Sequence, residues 1–440
     1  MNHKRAEARG FGPRKKVAAV IAAVASIALL AGCASAQPSE PDGQVTLRFA
    51  WWGNDVRNAQ TQEVIDLYEE LNPNVTIIPE AGSFSGYFDK LATQTAGGNA
   101  PDIIQMSPNY LSDYAGRGAL LDLGAQDAIE LSDTPQQAVD AGKYQGTLFA
   151  IPTGRSEYAV MANSSMFEST GIEFPDDQTW TWGDYREIAA QLAAATGNYG
   201  AGYPGPQDAI MSMWFEQHGE QLYSDEGDLA FKPATVASYW QEILDQRDAA
   251  AGPSAGVFNE DATASLEQTL FATGKIGLAW FNANQYTAVS SAMGTDIVLL
   301  RAPSVAGEAS KNGATYAPAM LWSASAKTKY PEVAADFINF LHNSTDAGKI
   351  LMVERGAPSV PAVIEAMNPL LSPADKVFVD FINKTTEDLA PTPPGFPKGS
   401  STITTLVIRY MSDVLSDSLT PEEAGTKFHD ELQGLIDAAK

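Results

Sequence analysis

Residues 45–79 read VTLRFAWWGNDVRNAQTQEVIDLYEELNPNVTIIP, and this stretch decides the fold. Residues 45–52 form an apolar run typical of a buried strand. In residues 64–71, apolar side chains recur at i, i+3, i+4 and i+7, the spacing of an amphipathic helix. The helix is expected to end at residues 72–74 (NPN), and residues 75–79 form a second strand. A strand–helix–strand unit of this length predicts a right-handed parallel crossover in an open α/β sheet.

The same alternation continues along the chain. A helix is predicted over residues 87–95 and a third strand at residues 103–104. Residues 148–161 (LFAIPTGRSEYAVM) are apolar at both ends and are interrupted by a proline and a glycine, which indicates a strand that leaves one lobe and enters the next. Near the carboxyl end, residues 420–423 (TPEE) form a capping box with proline at the first helical position. A chain of 440 residues exceeds one typical domain and favours two.

The amino terminus has the pattern of a secretory signal. Residues 4–16 are rich in lysine and arginine, and residues 17–30 are an uninterrupted run of apolar and small residues. That run is shorter than the roughly 20 apolar residues of a membrane-spanning helix. It ends in LAGC, which resembles a bacterial lipobox with Cys33 as the lipidated residue. We therefore expect a signal peptide over 1–32, a lipidated flexible tether over 33–44, and anchoring at the outer face of the cytoplasmic membrane.

Composition argues against several classes of function. The 54 acidic residues outnumber the 28 basic ones, and a net charge of −26 disfavours nucleic-acid binding. Cys33 is the only cysteine, so no internal disulfide can form. The four histidines are scattered without an H-x-x-H pair, so no metal site or other cofactor is predicted. The sequence lacks a phosphate-binding P-loop.

Five blocks, in order, resemble the carbohydrate-binding extracellular solute-binding proteins of ABC importers, the group that includes maltose-binding protein. They are residues 49–57 (FAWWGNDVR), 99–123 (NAPDIIQMSPNYLSDYAGRGALLDL), 145–153 (QGTLFAIPT), 274–282 (GKIGLAWFN) and 355–359 (RGAPS). The resemblance implies two α/β lobes, each a mixed sheet flanked by helices, joined by crossing strands at a hinge. It implies lobe 1 from residues 45–152 and 283–342, and lobe 2 from residues 153–282 and 343–440.

A sugar presents hydroxyl groups and apolar C–H faces, so its site needs flat aromatic rings beside polar side chains. Such groups belong where the strands of an open sheet end. Alternation along the first strand places one of its two terminal tryptophans toward a cleft, and we expect Trp52. The resemblance adds Asp55 and Asn109 as sugar contacts. Arg57, Ser83 and Phe84 follow strand ends, with a solvated loop or hydrophobic packing as the alternatives.

The second half of the chain supplies further candidates. The resemblance points to Glu157 as a hinge carboxylate that contacts sugar, with an ion pair to Arg155 as the alternative. Trp214 and Trp280 are candidate stacking platforms, unless they belong to the core. The remaining candidates are Asn282 and Tyr316 near the crossings, and Arg355, which would close over the ligand.

The resulting prediction is a substrate-binding lipoprotein of an ABC-type sugar importer. It would capture a mono- or oligosaccharide by hinge closure and deliver it to the permease subunits. The chain is expected to be a monomer without enzymatic activity, bound to the membrane through its lipid alone. A surface glycoside hydrolase or a polysaccharide-binding adhesin is the alternative, because hydrolysis needs only two carboxylates across a cleft.

Overall fold

The computed structural model describes residues 43–204, 208–391 and 393–440. The predicted signal peptide, Cys33 and nearly all of the predicted tether lie outside these residues. The strands are β1 (Val45–Trp52), β2 (Val75–Gly82), β3 (Ile103–Met106), β4 (Lys143–Tyr144), β5 (Thr147–Leu148), β6 (Ala150–Arg155), β7 (Tyr158–Asn163), β8 (Tyr199–Ala201), β9 (Ile276–Asn282), β10 (Ile297–Leu300) and β11 (Pro318–Ala324). The helices are α1 (Asp55–Leu71), α2 (Tyr87–Ala96), α3 (Pro108–Gly116), α4 (Gln136–Ala141), α5 (Ser164–Thr170), α6 (Trp182–Thr196), α7 (Asp208–Gln217), α8 (Pro233–Asp248), α9 (Ala255–Ala262), α10 (Tyr286–Met293), α11 (Pro331–Asn343), α12 (Thr345–Leu351), α13 (Pro361–Met367), α14 (Pro373–Thr385), α15 (Ile403–Leu415) and α16 (Pro421–Ala439).

The first sheet has the strand order β2-β1-β3-β11-β6. β1 and β3 run parallel, with Phe49 opposite Ile103, whereas β11 is antiparallel to both β3 and β6. The predicted strand–helix–strand unit is present as β1–α1–β2, with β2 beside β1 in this sheet. Alternation along β1 buries Trp51 and leaves Trp52 partly exposed, as expected from the opposite directions of neighbouring side chains in a strand.

The second sheet has the order β10-β7-β9-β8. β10 is hydrogen-bonded antiparallel to β7, with Ile297 opposite Asn163 and Leu300 opposite Val160. This pairing corrects the expected boundary at residue 283, which put residues 283–342 in lobe 1. Because β10 belongs to the second sheet and β11 to the first, the chain crosses back between residues 300 and 318.

The first crossing lies between the end of β6 and the start of β7. There Arg155 and Ala357 exchange two backbone hydrogen bonds, of 2.7 and 2.8 Å. Next to them Gly154 faces Gly356 so closely that a Cβ atom on Gly154 would lie 2.6 Å from the Gly356 carbonyl. Glycine at residue 154 thus permits direct backbone packing between two crossing segments.

The helices begin where the capping signals indicate. α16 starts at the predicted capping box, with the Thr420 side chain accepting from the Glu423 amide and Pro421 at the first helical position. α6 uses the same device through Thr181 and Asp184. Within the described ranges, no helix is long and apolar enough to cross a membrane.

Candidate functional site

Two sheet edges face each other across the first crossing. β1, β2 and β3 end on one edge of the first sheet, and the register of β11 brings Arg155, the end of β6, to that same edge. In the second sheet, Tyr158 at the start of β7 pairs with Asn282 at the end of β9. Only residues 156–157 separate β6 from β7, so these edges lie next to each other. We call the space between them the cleft.

Aromatic rings line the first-sheet side of the cleft. Phe84 is 58% exposed and meets the Trp52 ring edge-on, with ring centres 5.4 Å apart. Phe88 supports both rings from below and stacks on Tyr110 at 3.7 Å. Ser83 is exposed, and its hydroxyl donates to the Ser85 carbonyl at 3.0 Å. The structure therefore brings the predicted Trp52, Ser83 and Phe84 to one surface.

A polar contact joins the two sides of the cleft. Asn109, at the start of α3, donates its amide to both carboxylate oxygens of Asp208, at 3.3 and 3.4 Å. Asp208 is the first residue of α7, and the Thr404 hydroxyl also donates to it at 2.6 Å. Asp208 is 5% exposed, and its burial raises the pKa of the carboxyl group. Sequence reasoning found Asn109 and missed Asp208, because an acid at a helix start usually only complements the helix dipole.

On the second-sheet side, Trp280 and Trp182 form a stacked pair. Their ring centres are 5.7 Å apart and their planes differ by 16°. Trp280 is partly exposed, and its indole N–H donates to the Tyr185 hydroxyl at 3.1 Å. Trp214 packs edge-on against Trp182 but is only 6% exposed. The structure thus places Trp214 in the core, the alternative that its sequence left open.

Asn282 and Tyr316 are already engaged in hydrogen bonds. The Asn282 side chain accepts from the backbone N–H of Gln285 in a capping box at the end of β9. It also bonds the Tyr158 hydroxyl, whose pKa burial raises. Tyr316 is 8% exposed, and its hydroxyl lies 3.2 Å from that of Ser359. Both residues lie beside the segments that join the two sheets, Asn282 at the end of β9 and Tyr316 just before β11.

Glu157 forms an ion pair with Arg155, the predicted alternative to a sugar contact. Its carboxylate is bound by the Arg155 guanidinium and accepts from the Thr385 hydroxyl at 2.6 Å. Arg155 also donates to the Thr386 hydroxyl at 2.9 Å. Glu157 is 2% exposed, and burial raises its pKa even though Arg155 opposes that shift. The pair ties the first crossing to the end of α14.

Two predicted arginine contacts point away from the cleft. Arg355 is buried inside the first-sheet lobe, where it donates to the side-chain Oε1 of Gln105 at 2.8 Å and to the Thr61 hydroxyl at 2.7 Å. Its guanidinium also lies over the Trp322 ring at 5.0 Å. Because the guanidinium is buried and its Nε and Nη2 groups donate within this lobe, the structure does not place Arg355 where it could close over a ligand, contrary to the expectation.

Arg57 is also buried, and it donates to the carbonyl oxygens of Trp52 and Glu354, each at 3.2 Å. It therefore connects the first turn of α1 to the segment after α12 instead of facing the cleft. Asp55 is exposed in that first turn, where its charge complements the helix dipole. Across the described part of the chain, no group of acidic, histidine or cysteine side chains could hold a metal ion.

The chain forms two α/β lobes and crosses between them repeatedly, and the lobes enclose an aromatic and polar cleft. These features define the class of two-lobed binding proteins. The chain matches the family described as bacterial extracellular solute-binding protein over residues 63–370. It belongs to that family, and it is accordingly an extracytoplasmic binding protein.

Three known proteins illustrate the similarity. An uncharacterized lipoprotein of Streptomyces antibioticus is 29% identical over 207 residues, which is 46% of this chain and 45% of the relative. The lactose-binding protein of Rhizobium radiobacter is 24% identical over 48% of this chain and 49% of its own length. The chain thus spans about half the length of these relatives. A periplasmic oligogalacturonide-binding protein from Yersinia enterocolitica, solved with digalacturonic acid, is 20% identical, with a TM-score of 0.79 over 90% of this chain and all of its own. At that identity it shows the fold alone.

Proposed function

We propose that this protein captures a saccharide in the cleft and delivers it to the permease of an ABC importer. The observation that carries the proposal is the pairing of an exposed phenylalanine with a cross-cleft amide and carboxylate. Phe84 offers an apolar face to sugar C–H groups, while Asn109 and Asp208 offer hydrogen bonds to hydroxyl groups. The lactose-binding relative supports this substrate class.

The mechanism we propose is hinge closure. A saccharide docks on the first-sheet lobe beside Trp52, and the second lobe then covers it and excludes water. We assign residues 45–155 and 318–351 to the first lobe, and residues 158–300 and 373–440 to the second, because the strands and the packed helices divide in this way. The bound sugar stabilises the closed form through its higher affinity for that form.

Attachment to the membrane completes the proposal. Cys33 follows an apolar run in the sequence, and the Streptomyces relative is described as a lipoprotein. We propose that Cys33 carries the lipid, that residues 34–44 form the tether, and that the folded part works as a monomer beside its permease. Labelling of the expressed protein with a radioactive fatty acid tests this, with Cys33→Ser as the unlabelled control.

Thermal-shift screening followed by calorimetry tests saccharide binding directly. Replacing Phe84 by alanine should weaken the best saccharide about 10-fold, because a ring that is 58% exposed loses its contact area with the sugar. Phe174→Ala is the matched control. Phe174 is 38% exposed and stacks on Phe167. Both residues follow the carboxyl end of β7, whereas the cleft lies at its amino end. Equal affinities for the two variants would remove Phe84 from the site.

The same screen decides between binding and hydrolysis. Stoichiometric binding with the saccharide recovered intact is the expected result. If no saccharide in a broad panel changes the melting temperature, the transport proposal fails. Release of shorter products would instead support the glycoside hydrolase.

A further inference from the structure

Asp208 is a buried carboxylate whose side-chain partners are all neutral. Its oxygens accept from the Asn109 amide and the Thr404 hydroxyl, and within the described ranges no lysine or arginine forms an ion pair with it. The preceding residues 205–207 are glycine, proline and glutamine, which add no cation. A buried charge without a counter-ion depends on hydrogen-bond donors for its stability.

Three arginines beside the crossings are already bound to other groups. Arg57 is directed at Glu354, Arg355 at Gln105 and Thr61, and Arg155 at Glu157. A carboxylate on the ligand would therefore meet Asp208 without a guanidinium to neutralise either charge. Like charges brought together in a desolvated site repel each other strongly.

A neutral sugar fits the same surroundings. A carboxylate has about four acceptor positions, and the Asn109 amide, the Thr404 hydroxyl and the backbone N–H of Asp208 itself leave at least one of them open. Sugar hydroxyl groups donate hydrogen bonds and carry no charge. They can use the open positions or replace the Asn109 amide, which bonds Asp208 through contacts of 3.3 and 3.4 Å.

We propose that Asp208 makes the cleft selective for uncharged, hydroxyl-rich saccharides and against uronic acids. The inference rests on the proposed sugar-binding function and narrows its substrate class. It also separates this chain from the Yersinia neighbour, which was solved with digalacturonic acid. Amino sugars, whose ammonium group would pair with Asp208, are a further arm of the test.

The test compares sugars that differ only at C6. Glucose, galactose, maltose, lactose and galactobiose are titrated by calorimetry, each beside the acid in which the C6 hydroxymethyl group is oxidised to a carboxylate. We expect the neutral form of the best ligand to bind at least 100-fold more tightly than its acid. Glucosamine and galactosamine should bind no more than 10-fold more weakly than the parent sugars. An acid that binds as tightly as its neutral counterpart overturns the proposal.

Asp208→Asn supplies the second measurement. Removing the charge should reduce the ratio of neutral to acidic affinity at least 10-fold, because the repulsion disappears while one acceptor remains. Asp261→Asn is the matched control, since Asp261 is a partly buried acid with a raised pKa. Its carboxylate accepts from the Leu270 backbone N–H ahead of β9, whereas the cleft lies at the other end of β9. The ratio should not change in that control.

The outcomes separate the two proposals. If neutral and acidic sugars both fail to bind, the proposed function fails, and the selectivity falls with it. If only acidic sugars bind, the transport function stands and the role of Asp208 is refuted. The selectivity of the unmodified protein is measured first, so the proposal can be refuted even if Asp208→Asn does not fold.

Discussion

Replacing Gly154 by alanine tests whether the lobes cross by direct backbone packing. The new methyl group would lie 2.6 Å from both the carbonyl carbon and the carbonyl oxygen of Gly356, and 2.9 Å from the Ala357 oxygen. The segments would have to separate, although the two Arg155–Ala357 hydrogen bonds hold them together. Overpacking costs about 1–3 kcal/mol, and each weakened backbone hydrogen bond adds up to about 1 kcal/mol. We expect a loss of about 3 kcal/mol in the free energy of unfolding.

Urea unfolding, followed by tryptophan fluorescence, measures this loss as a lower midpoint at unchanged slope. Gly434→Ala is the matched control, because a Cβ atom at that position in α16 has nothing within 4 Å. That substitution should raise the stability by up to about 1 kcal/mol, since alanine favours the helix. If Gly154→Ala unfolds at the wild-type midpoint, the two crossing segments are not packed against each other in this way.

Three further predictions concern buried polar groups. Burial lowers the pKa of His342 to about 4, from about 6.5 in the unfolded chain. The free energy of unfolding is therefore highest above pH 6.5 and falls by about 3 kcal/mol as the pH drops toward 4. His342→Gln should remove this pH dependence, measured by urea unfolding at several pH values. Arg355→Ala should cost about 3 kcal/mol, because Gln105 and Thr61 lose their donor, yet calorimetry should show saccharide affinity within threefold of wild type. Trp214→Phe removes the hydrogen bond from the indole N–H to the Ser238 hydroxyl. Urea unfolding should therefore show a loss of about 1 kcal/mol in the free energy of unfolding, at unchanged saccharide affinity.

Local patterns predicted much of the fold. The apolar spacing in residues 64–71 and the strand run before it led directly to β1–α1, because both follow from which face of an element is buried. The same alternation selected Trp52 over Trp51 for the exposed side. The capping box at Thr420 located the start of α16 to the residue, since the bonds of a helix cap lie within four residues.

Properties that depend on distant residues were not predicted. The pairing of β10 with β7 joins residues more than 130 positions apart, and nothing in residues 297–300 specifies the sheet to which they belong. The long guanidinium side chains of Arg57 and Arg355 were expected at the ligand because of their neighbours in sequence. Their direction is instead set by acceptors on other elements. Asp208 becomes a cleft residue only through its contact with Asn109, which lies 99 positions away in the sequence.

The contacts near the hinge and the contact in the cleft have different consequences for closure. Glu354 accepts from Asn54 at 3.1 Å on the first-lobe side, and its backbone oxygen accepts from Asn284 at 3.2 Å just after β9. These bonds lie beside the crossings, where a rotating lobe moves least. Asn109 follows β3, which β11 separates from β6, so the contact to Asp208 lies roughly 10 Å from the first crossing, given the spacing of strands. Rotation about the crossings therefore opens the Asn109–Asp208 contact while the Glu354 bonds can persist, and a ligand that bridges these two side chains would govern closure.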